Sequence, residues 1–388
     1  MELNDQTLIR LLDLHDDVGV LTVTTGFAEP GDDGRGARIG WKNRLRDLRA
    51  AAEPDVRSAL DARVSEFSQD IDRLLDPRAD GKGRAVVIGL GSGEHFSFSL
   101  QTPFEDRAVL RDRPFLRPLI AAIDEGRPAG VVVATKSGAR ILEWTAQGTK
   151  ALSEHTFELT DDQTSGEGTG PAGSGGPRGQ QIVNHREKFD DRVAANRDRF
   201  LKEVGRVVEN LVAERGWDRI VVAGSVRIRD RVGELIDTDQ VTVLHVDEAW
   251  EDRSVGQIAA AIWPTLRSAH SDRDRALAAR IREIALSGGA AALGVRRIAP
   301  AVNQGRVQYL AFAHDADVTG FVGQDGMLYA EVGGQPAQAD MEFTPVTHFV
   351  ERLVERVLNT GGRVTRLDDE EAVRDFAAYQ GLGAVLRW

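Results

Sequence analysis

The residues of this sequence best placed to do chemistry lie in a glycine-rich segment that leads into a cationic one. The segment 164–181 consists almost wholly of Gly, Pro, Ser, Thr and other polar residues, and it ends in Arg178-Gly179-Gln180-Gln181. Such a composition buries too little apolar surface to offset its ordering entropy, so we expect a loop that is mobile when free. Its glycine backbone and terminal amide side chains suit it to enter a crowded site.

Cationic side chains accompany the end of this loop. From Arg178 to Lys202 there are seven Arg or Lys residues and four Asp or Glu residues, whereas the 388-residue chain has a net charge of −12. The overall charge would repel nucleic acid, so any RNA contact has to come from this local patch. An exposed helix face of mixed charge is the alternative, and it stays open. The candidate RNA-contacting residues are Arg178, Gly179, His185, Arg186, Lys188, Arg192, Arg197 and Arg199.

A long amphipathic helix has to position this patch. Apolar residues from Phe189 to Val212 recur at helical spacing, and charged residues fill the other face. The pattern predicts a helix from about Asn184 to Arg215, roughly 45 Å long at ~1.5 Å per residue. The glycine–glutamine segment would then stand at one end of a rigid rod.

The rest of the sequence predicts an α/β protein of three domains, 1–128, 129–268 and 269–388. In the central domain three antiparallel strands precede the glycine-rich loop, and alternating strands and helices follow the long helix. The last domain is expected to be a helix–strand–helix–strand sandwich. The predicted elements that matter below are strands at 130–135, 139–144 and 149–159, and helices at 254–268 (with Pro264 within or ending it), 270–286, 292–303 and 343–359.

Composition removes several classes of function. There are no cysteines, which excludes disulfides and thiolate chemistry, and the eight histidines show no paired metal-ligand spacing, so neither a metal nor a cofactor is expected. No apolar run is long enough for a membrane span, and the N-terminus lacks the apolar core of a signal peptide, which predicts a cytoplasmic protein. The stretch 89–94 is similar to a dinucleotide-binding loop. However, Glu94 replaces its third glycine and 95–100 alternates like a strand, so a hairpin is predicted.

From residue 129 onward the order of elements resembles the archaeal and eukaryotic class-I release factor and Pelota superfamily, in its bacterial branch. The central domain is similar in its Lys136-Ser137-Gly138 turn, the glycine-rich loop ending in Gln, the long basic helix and the strand near 220–225. The last domain is similar at 292–307 and 381–388. The resemblance implies a three-domain release-factor/Pelota-like architecture, with a ribonuclease-H-like central domain and an L7Ae-type C-terminal α/β/α sandwich.

The resemblance also implies action at the ribosome. In the family the central domain enters the peptidyl-transferase centre, and the third domain contacts the stalk base and a translational GTPase. True release factors carry Gly-Gly-Gln at the loop tip and hydrolyse the peptidyl-tRNA ester, which would make Gln180 and Gln181 the catalytic residues. Here Arg178 stands where the first glycine would be, a position from which it could pair with an rRNA phosphate.

The leading hypothesis is a ribosome-associated factor that binds the A site, directs 164–181 toward the peptidyl-transferase centre and acts in hibernation or rescue. Its partners would be rRNA, the stalk base and a translational GTPase. Peptide release through Gln180 and Gln181 is the alternative, and a role for both glutamines as plain polar loop residues stays open. A second alternative is a nuclease on the central fold, for which the strands 130–135 and 139–144 offer only Glu143.

Overall fold

The structure is a computed structural model that describes residues 3, 5–27, 33–157, 178–236, 241–332, 341–346 and 348–388, with the backbone alone over 178–191. The contacts divide the chain into two compact units. Unit 1 combines residues 1–126 with residues 266–388, and unit 2 consists of residues 127–265. The division into three domains stays a prediction. None of the helices in the described ranges is both long and apolar enough to cross a membrane.

The first part of unit 1 is an antiparallel sheet covered by helices. Its strand order is β3-β2-β1-β4, and Leu21, Val23, Val86 and Ile88 point from it into an apolar core that includes Trp41. Pro54 occupies the first turn of α3, where its missing N–H costs no hydrogen bond, and so it separates α2 from α3. The elements are α1 Asp5–Asp13, β1 Val20–Gly26, α2 Arg35–Ala51, α3 Pro54–Glu66, α4 Ser68–Leu74, β2 Gly83–Gly89, β3 His95–Leu100, β4 Arg107–Arg111 and α5 Arg117–Glu125.

Unit 2 is built on a five-stranded sheet with the order β7-β6-β5-β8-β9. Strands β5, β6 and β7 pair antiparallel, whereas β8 and β9 continue parallel to β5, which is the ribonuclease-H-like layout expected from the sequence. The central strands β5 and β8 are buried along their whole length and, apart from Arg219, consist of apolar residues and glycine, as expected where both faces of a sheet are covered. The elements are β5 Ala129–Ala134, β6 Gly138–Trp144, β7 Thr149–Thr156, α6 Arg178–Arg215, β8 Arg219–Ala223, α7 Val226–Leu235, β9 Thr242–Val246 and the start of α8 Val255–Leu286.

The second part of unit 1 is a mixed sheet with the order β10-β16-β11-β15, beside a small sheet β13-β12-β14. Phe312, Phe349 and Phe376 are fully buried in this part. The predicted alternation of helices and strands is confirmed. The elements are β10 Ala291–Leu293, α9 Val295–Asn303, β11 Val307–Ala313, β12 Gly320–Gly323, β13 Leu328–Tyr329, β14 Phe343–Val346, α10 Phe349–Asn359, β15 Arg363–Leu367, α11 Glu370–Phe376 and β16 Leu382–Leu386.

Several predicted boundaries were wrong. Helix α6 begins at Arg178 instead of Asn184, and α8 runs without a break through Pro264, where two helices were expected. Burial of Ile258, Ile262 and Leu266 on either side of the proline offsets the hydrogen bond that it cannot donate. The predicted helices at 292–303 and 343–359 each begin with a short strand, because pairing to a neighbouring strand overrides the local periodicity there.

Candidate functional site

Helix α6 is the longest element of unit 2, and its C-terminal half packs on the sheet. Leu201, Val204 and Val208 are buried in the unit 2 core with Trp217. No residue from 192 to 200 is buried, although the helix continues through them. The 23 residues that separate Leu201 from Arg178 (201 − 178) correspond to about 35 Å of helix at ~1.5 Å per residue. We call this part of α6, residues 178–200, the α6 arm.

The glutamines predicted to lie at a loop tip are in the first turn of the α6 arm. Arg178, Gly179, Gln180 and Gln181 all have helical backbone, because the helix begins six residues before the predicted start (184 − 178). Residues 164–177 of the predicted loop lie outside the described residues. The side chains of the four residues above, and those of His185, Arg186 and Lys188, also lie outside the description.

Three of the predicted RNA-contacting arginines belong to the described part of the α6 arm. Arg192 and Arg199 are exposed, and Arg197 is half-buried with its guanidinium 5.9 Å from the centre of the Phe157 ring. That ring packs against Phe200, with 5.6 Å between the ring centres. The aromatic pair therefore fixes Arg197 at the junction between the α6 arm and the end of β7, while Arg199 has no ion-pair partner among the described residues.

Around residues 198–202, charged side chains of α6 pair with one another and with α7. Asp198 accepts hydrogen bonds from Lys202 and Arg231, with N–O distances of 2.8 and 2.7 Å. These bonds, Lys202 first, lower the pKa of Asp198 below its ordinary value. Lys202 and Arg231 are therefore paired with a carboxylate where α6 meets α7, whereas Arg192 and Arg199 are exposed in the α6 arm.

The carboxylate on which the nuclease alternative depends is already engaged. Glu143 accepts a hydrogen bond from the indole nitrogen of Trp217 at 3.1 Å and another from Arg215 at 3.5 Å. Within the described ranges, the only group of three or more His, Asp or Glu side chains close enough to hold a metal ion lies in unit 1. The described part of unit 2 therefore lacks the carboxylate cluster that a metal-dependent nuclease requires.

The glycine-rich turn after β2 is a hairpin, as predicted, and its amides are occupied by a carboxylate. Strands β2 and β3 pair antiparallel on either side of it. Asp16 accepts the backbone N–H groups of Gly91 at 2.9 Å and Ser92 at 2.8 Å. Burial alone would raise the pKa of Asp16, but hydrogen bonds led by those from Ser92 lower it. A nucleotide phosphate would have to displace this anion, which excludes the dinucleotide-binding role for the turn.

A buried charged cluster in unit 1 was not found from the sequence. Asp124 at the end of α5 accepts hydrogen bonds from Arg273 of α8 and Thr365 of β15. His270 and Asp274 lie one helical turn apart on α8, 3.4 Å from each other, and both are buried. The one available signal was the His-x-x-x-Asp spacing, which places both side chains on one face of a helix. We call Asp124, His270, Arg273, Asp274 and Thr365 the buried cluster.

Two carboxyl groups in and beside this cluster bind protons unusually well. Burial, together with the charges of Asp124 and Asp368, raises the pKa of Asp274 to about 7. Burial and the charge of Asp368 likewise raise the pKa of Glu125 to about 7. The charge of Arg273 opposes this rise in pKa for Asp274, whereas those of Arg366 and Arg267 oppose it for Glu125.

The five-stranded sheet, the long helix that emerges from it and the sandwich of the last third form a release-factor/Pelota-like fold. More particularly, residues 114–261 match the model of bacterial archaeo-eukaryotic release factor family 10. The match covers the whole described part of the unit 2 sheet and α6. It confirms the family resemblance inferred from the sequence. No curated protein sequence matches the chain.

Three solved structures show the same similarity at low identity. A ribosome-bound archaeal Pelota, in a complex with ABCE1, is 14% identical with a TM-score of 0.44, over 100% of this chain and 94% of that one. The archaeal termination factor aRF1 is 15% identical with a TM-score of 0.24, over 99% and 96%. Dom34 of S. cerevisiae, described as interacting with Hbs1, is 10% identical with a TM-score of 0.38, over 79% and 80%. All three TM-scores lie below 0.5.

Proposed function

We propose that this chain is a cytoplasmic translation factor that binds the ribosomal A site, directs its 164–181 segment toward the peptidyl-transferase centre and acts in hibernation or rescue. The observation that carries the proposal is the release-factor family match over residues 114–261, the segment that contains α6. Ribosomal RNA, the stalk base and a translational GTPase are the partners that this assignment implies.

The geometry of α6 supports the proposal. Among the side chains that the structure describes, those of α6 buried in the unit 2 core begin at Leu201, and the helical backbone continues from there to Arg178 over about 35 Å. A helix of this kind carries the segment at its N-terminus to a distant site without the entropy cost of a long loop. The exposed Arg192 and Arg199 and the aromatic-held Arg197 suit contact with phosphates, because a guanidinium matches their geometry bidentately.

Peptide release is the second candidate, and one observation favours it. Gln180 and Gln181 lie in the first turn of α6, where unsatisfied backbone N–H groups and the positive end of the helix dipole attract a developing oxyanion. Against this, the first glycine of the release tripeptide is replaced by Arg178, so occupation of the site without hydrolysis is the function we favour.

Co-sedimentation with vacant ribosomes tests the leading proposal. We expect the wild-type protein to pellet with ribosomes, and we expect Arg192→Glu/Arg197→Glu/Arg199→Glu to bind at least tenfold more weakly, since counterion release is lost with each phosphate contact. Arg206→Glu is the control for a single charge reversal, because Arg206 occupies an exposed position of the core-packed half of α6. Wild-type protein that stays in the supernatant at low salt would contradict ribosome binding.

A peptide-release assay separates the two candidates. Stalled ribosomes with a labelled nascent peptide are incubated with wild type, Gln180→Ala and Gln181→Ala. Occupation without hydrolysis predicts no release by any of the three while all three still pellet with ribosomes. Release by wild type that is lost in either alanine variant would assign the chain to the release reaction instead.

A further inference from the structure

A groove in the last part of unit 1 lies between helix α8 and the mixed sheet. Leu277, Arg280 and Ile284 form its helical wall, and their spacing of three and four residues places them on one face of α8. Its other wall is the sheet, where register pairs Tyr309 of β11 with Arg363 of β15 and with Val385 of β16. The groove has a volume of about 590 Å³, within the roughly 300–1,000 Å³ of ligand-binding clefts.

The groove is cationic although the chain is acidic overall. Arg280, Arg363 and Arg387 are exposed along it, and no Asp or Glu lines it. None of the three guanidinium groups makes an ion pair with any residue in the described ranges. Arg387 is held in place by a hydrogen bond to the backbone carbonyl of Thr360 at 2.8 Å. Most other arginines of this part of the chain face a carboxylate, as Arg282 faces Asp375 at 2.6 Å.

Between these cations the groove is apolar. Leu277, Ile284 and Val385 are half-buried, as is Tyr309, which lines the groove from the sheet. An aliphatic floor with a cationic rim matches a ligand that is apolar on one side and anionic on the other. Single-stranded nucleic acid would need several aromatic side chains on which bases stack, and the groove has one.

We propose that this groove, lined by α8, β11, β15 and β16, is a docking site for an acidic peptide segment with apolar side chains from a protein partner. Its aliphatic side chains would contact Leu277, Ile284 and Val385, and its carboxylates would pair with Arg280, Arg363 and Arg387. Alternating recognition of this kind is typical of amphipathic peptides bound in grooves. The inference does not depend on ribosome binding, because the groove and its charges belong to unit 1 alone.

Fluorescence anisotropy with three probes tests the proposal on the full chain. The first probe is a short synthetic peptide that alternates Glu with Leu and Phe, the second replaces every Glu by Lys, and the third is an oligouridine of equal length. We expect the acidic peptide to bind at least tenfold more tightly than the other two and to weaken as salt rises.

Substitutions in the groove distinguish docking from general charge attraction. Arg280→Glu/Arg363→Glu is expected to weaken the acidic peptide more than tenfold, and Ile284→Ser severalfold, with unchanged circular dichroism. Arg296→Glu/Arg297→Glu makes the same charge change on exposed positions of α9 outside the groove and is expected to leave affinity unaltered. Equal affinity for the acidic and lysine peptides, tighter binding of the oligouridine, or full binding by the double variant would each overturn the proposal. A protein that does not pellet with ribosomes would contradict the proposed function but not peptide docking in this groove.

Discussion

Replacing Arg273 by methionine should strongly destabilise unit 1. Arg273 donates a hydrogen bond to Asp124, whose side chain is 3% exposed, and lies 3.5 Å from Asp274, which is 1% exposed. Methionine keeps the length of the side chain and removes the charge, so two carboxyl groups would remain in the interior without their cation. Breaking a buried ion pair in this way costs about 3–5 kcal/mol.

The loss should depend on pH, and its sign follows from the protonation of the acids. At pH 5 Asp274 can be neutral, since its pKa is already raised to about 7 with Arg273 present, and loss of the arginine raises it further. At pH 8, folding of the variant must either bury ionised carboxylates without their cation or take up protons at a low proton concentration, and both cost free energy. The destabilisation is therefore expected to be largest at pH 8 and to shrink toward pH 5.

Urea unfolding followed by circular dichroism at both pH values measures this effect. Arg282→Met is the matched control, because Arg282 lies on the same helix and pairs with Asp375 while being 49% exposed. An exposed pair of this kind contributes about 0–1 kcal/mol, so the control should unfold near the wild-type midpoint. The reasoning would be refuted by equal destabilisation of the two variants, or by a loss for Arg273→Met that does not change between pH 5 and pH 8.

Three further predictions concern single positions. The pKa of Asp274 is raised to about 7 in the folded protein, so its contribution to stability is present below about pH 4 and is lost as the pH rises through about 7. The free energy of unfolding of the wild type, measured in urea, should therefore fall over this pH range. Asp274→Asn should reduce that fall by on the order of 1–4 kcal/mol. Gly130→Ala should destabilise unit 2 by about 1–3 kcal/mol in thermal unfolding, since a Cβ there would lie 2.4 Å from Trp217, whereas Gly148→Ala, with open space around it, should not. Asp16→Ala should speed hydrogen exchange at Gly91 and Ser92 and cost about 1–3 kcal/mol, because their N–H groups lose their acceptor; unchanged protection would contradict the assigned role of Asp16.

The sequence predicted best where local patterns agreed with tertiary packing. The central strand β5 of unit 2 is strongly apolar, and the turn at Lys136-Ser137-Gly138 fixes the first hairpin, so its antiparallel pairing with β6 followed directly. The apolar periodicity of α6 likewise predicted its packed half. Its start was predicted too late because apolar residues do not recur at helical spacing over 178–183. A helix that extends beyond the core it packs on need not show this periodicity.

Long-range features could not be predicted in the same way. The buried cluster joins Asp124 to Arg273 and Thr365, which lie 149 and 241 residues away in sequence, and nothing local marks a carboxylate at a helix end as buried. The binding groove also depends on strand register, since Arg363 and Val385 meet Tyr309 only after β15 and β16 have both paired with β11. The break predicted between the helices at 254–268 and 270–286 is absent because one helix continues through both segments, Pro264 included, and buried neighbours offset the hydrogen bond that the proline cannot donate.

The central claim is that α6 carries the 164–181 segment to the peptidyl-transferase centre. Cryo-electron microscopy of the protein bound to vacant ribosomes tests it most directly. We expect density for unit 2 in the A site. The α6 arm should point at the peptidyl-transferase centre, with Arg192, Arg197 or Arg199 against rRNA phosphates. A complex in which α6 faces solvent, or in which the protein sits away from the A site, would contradict it.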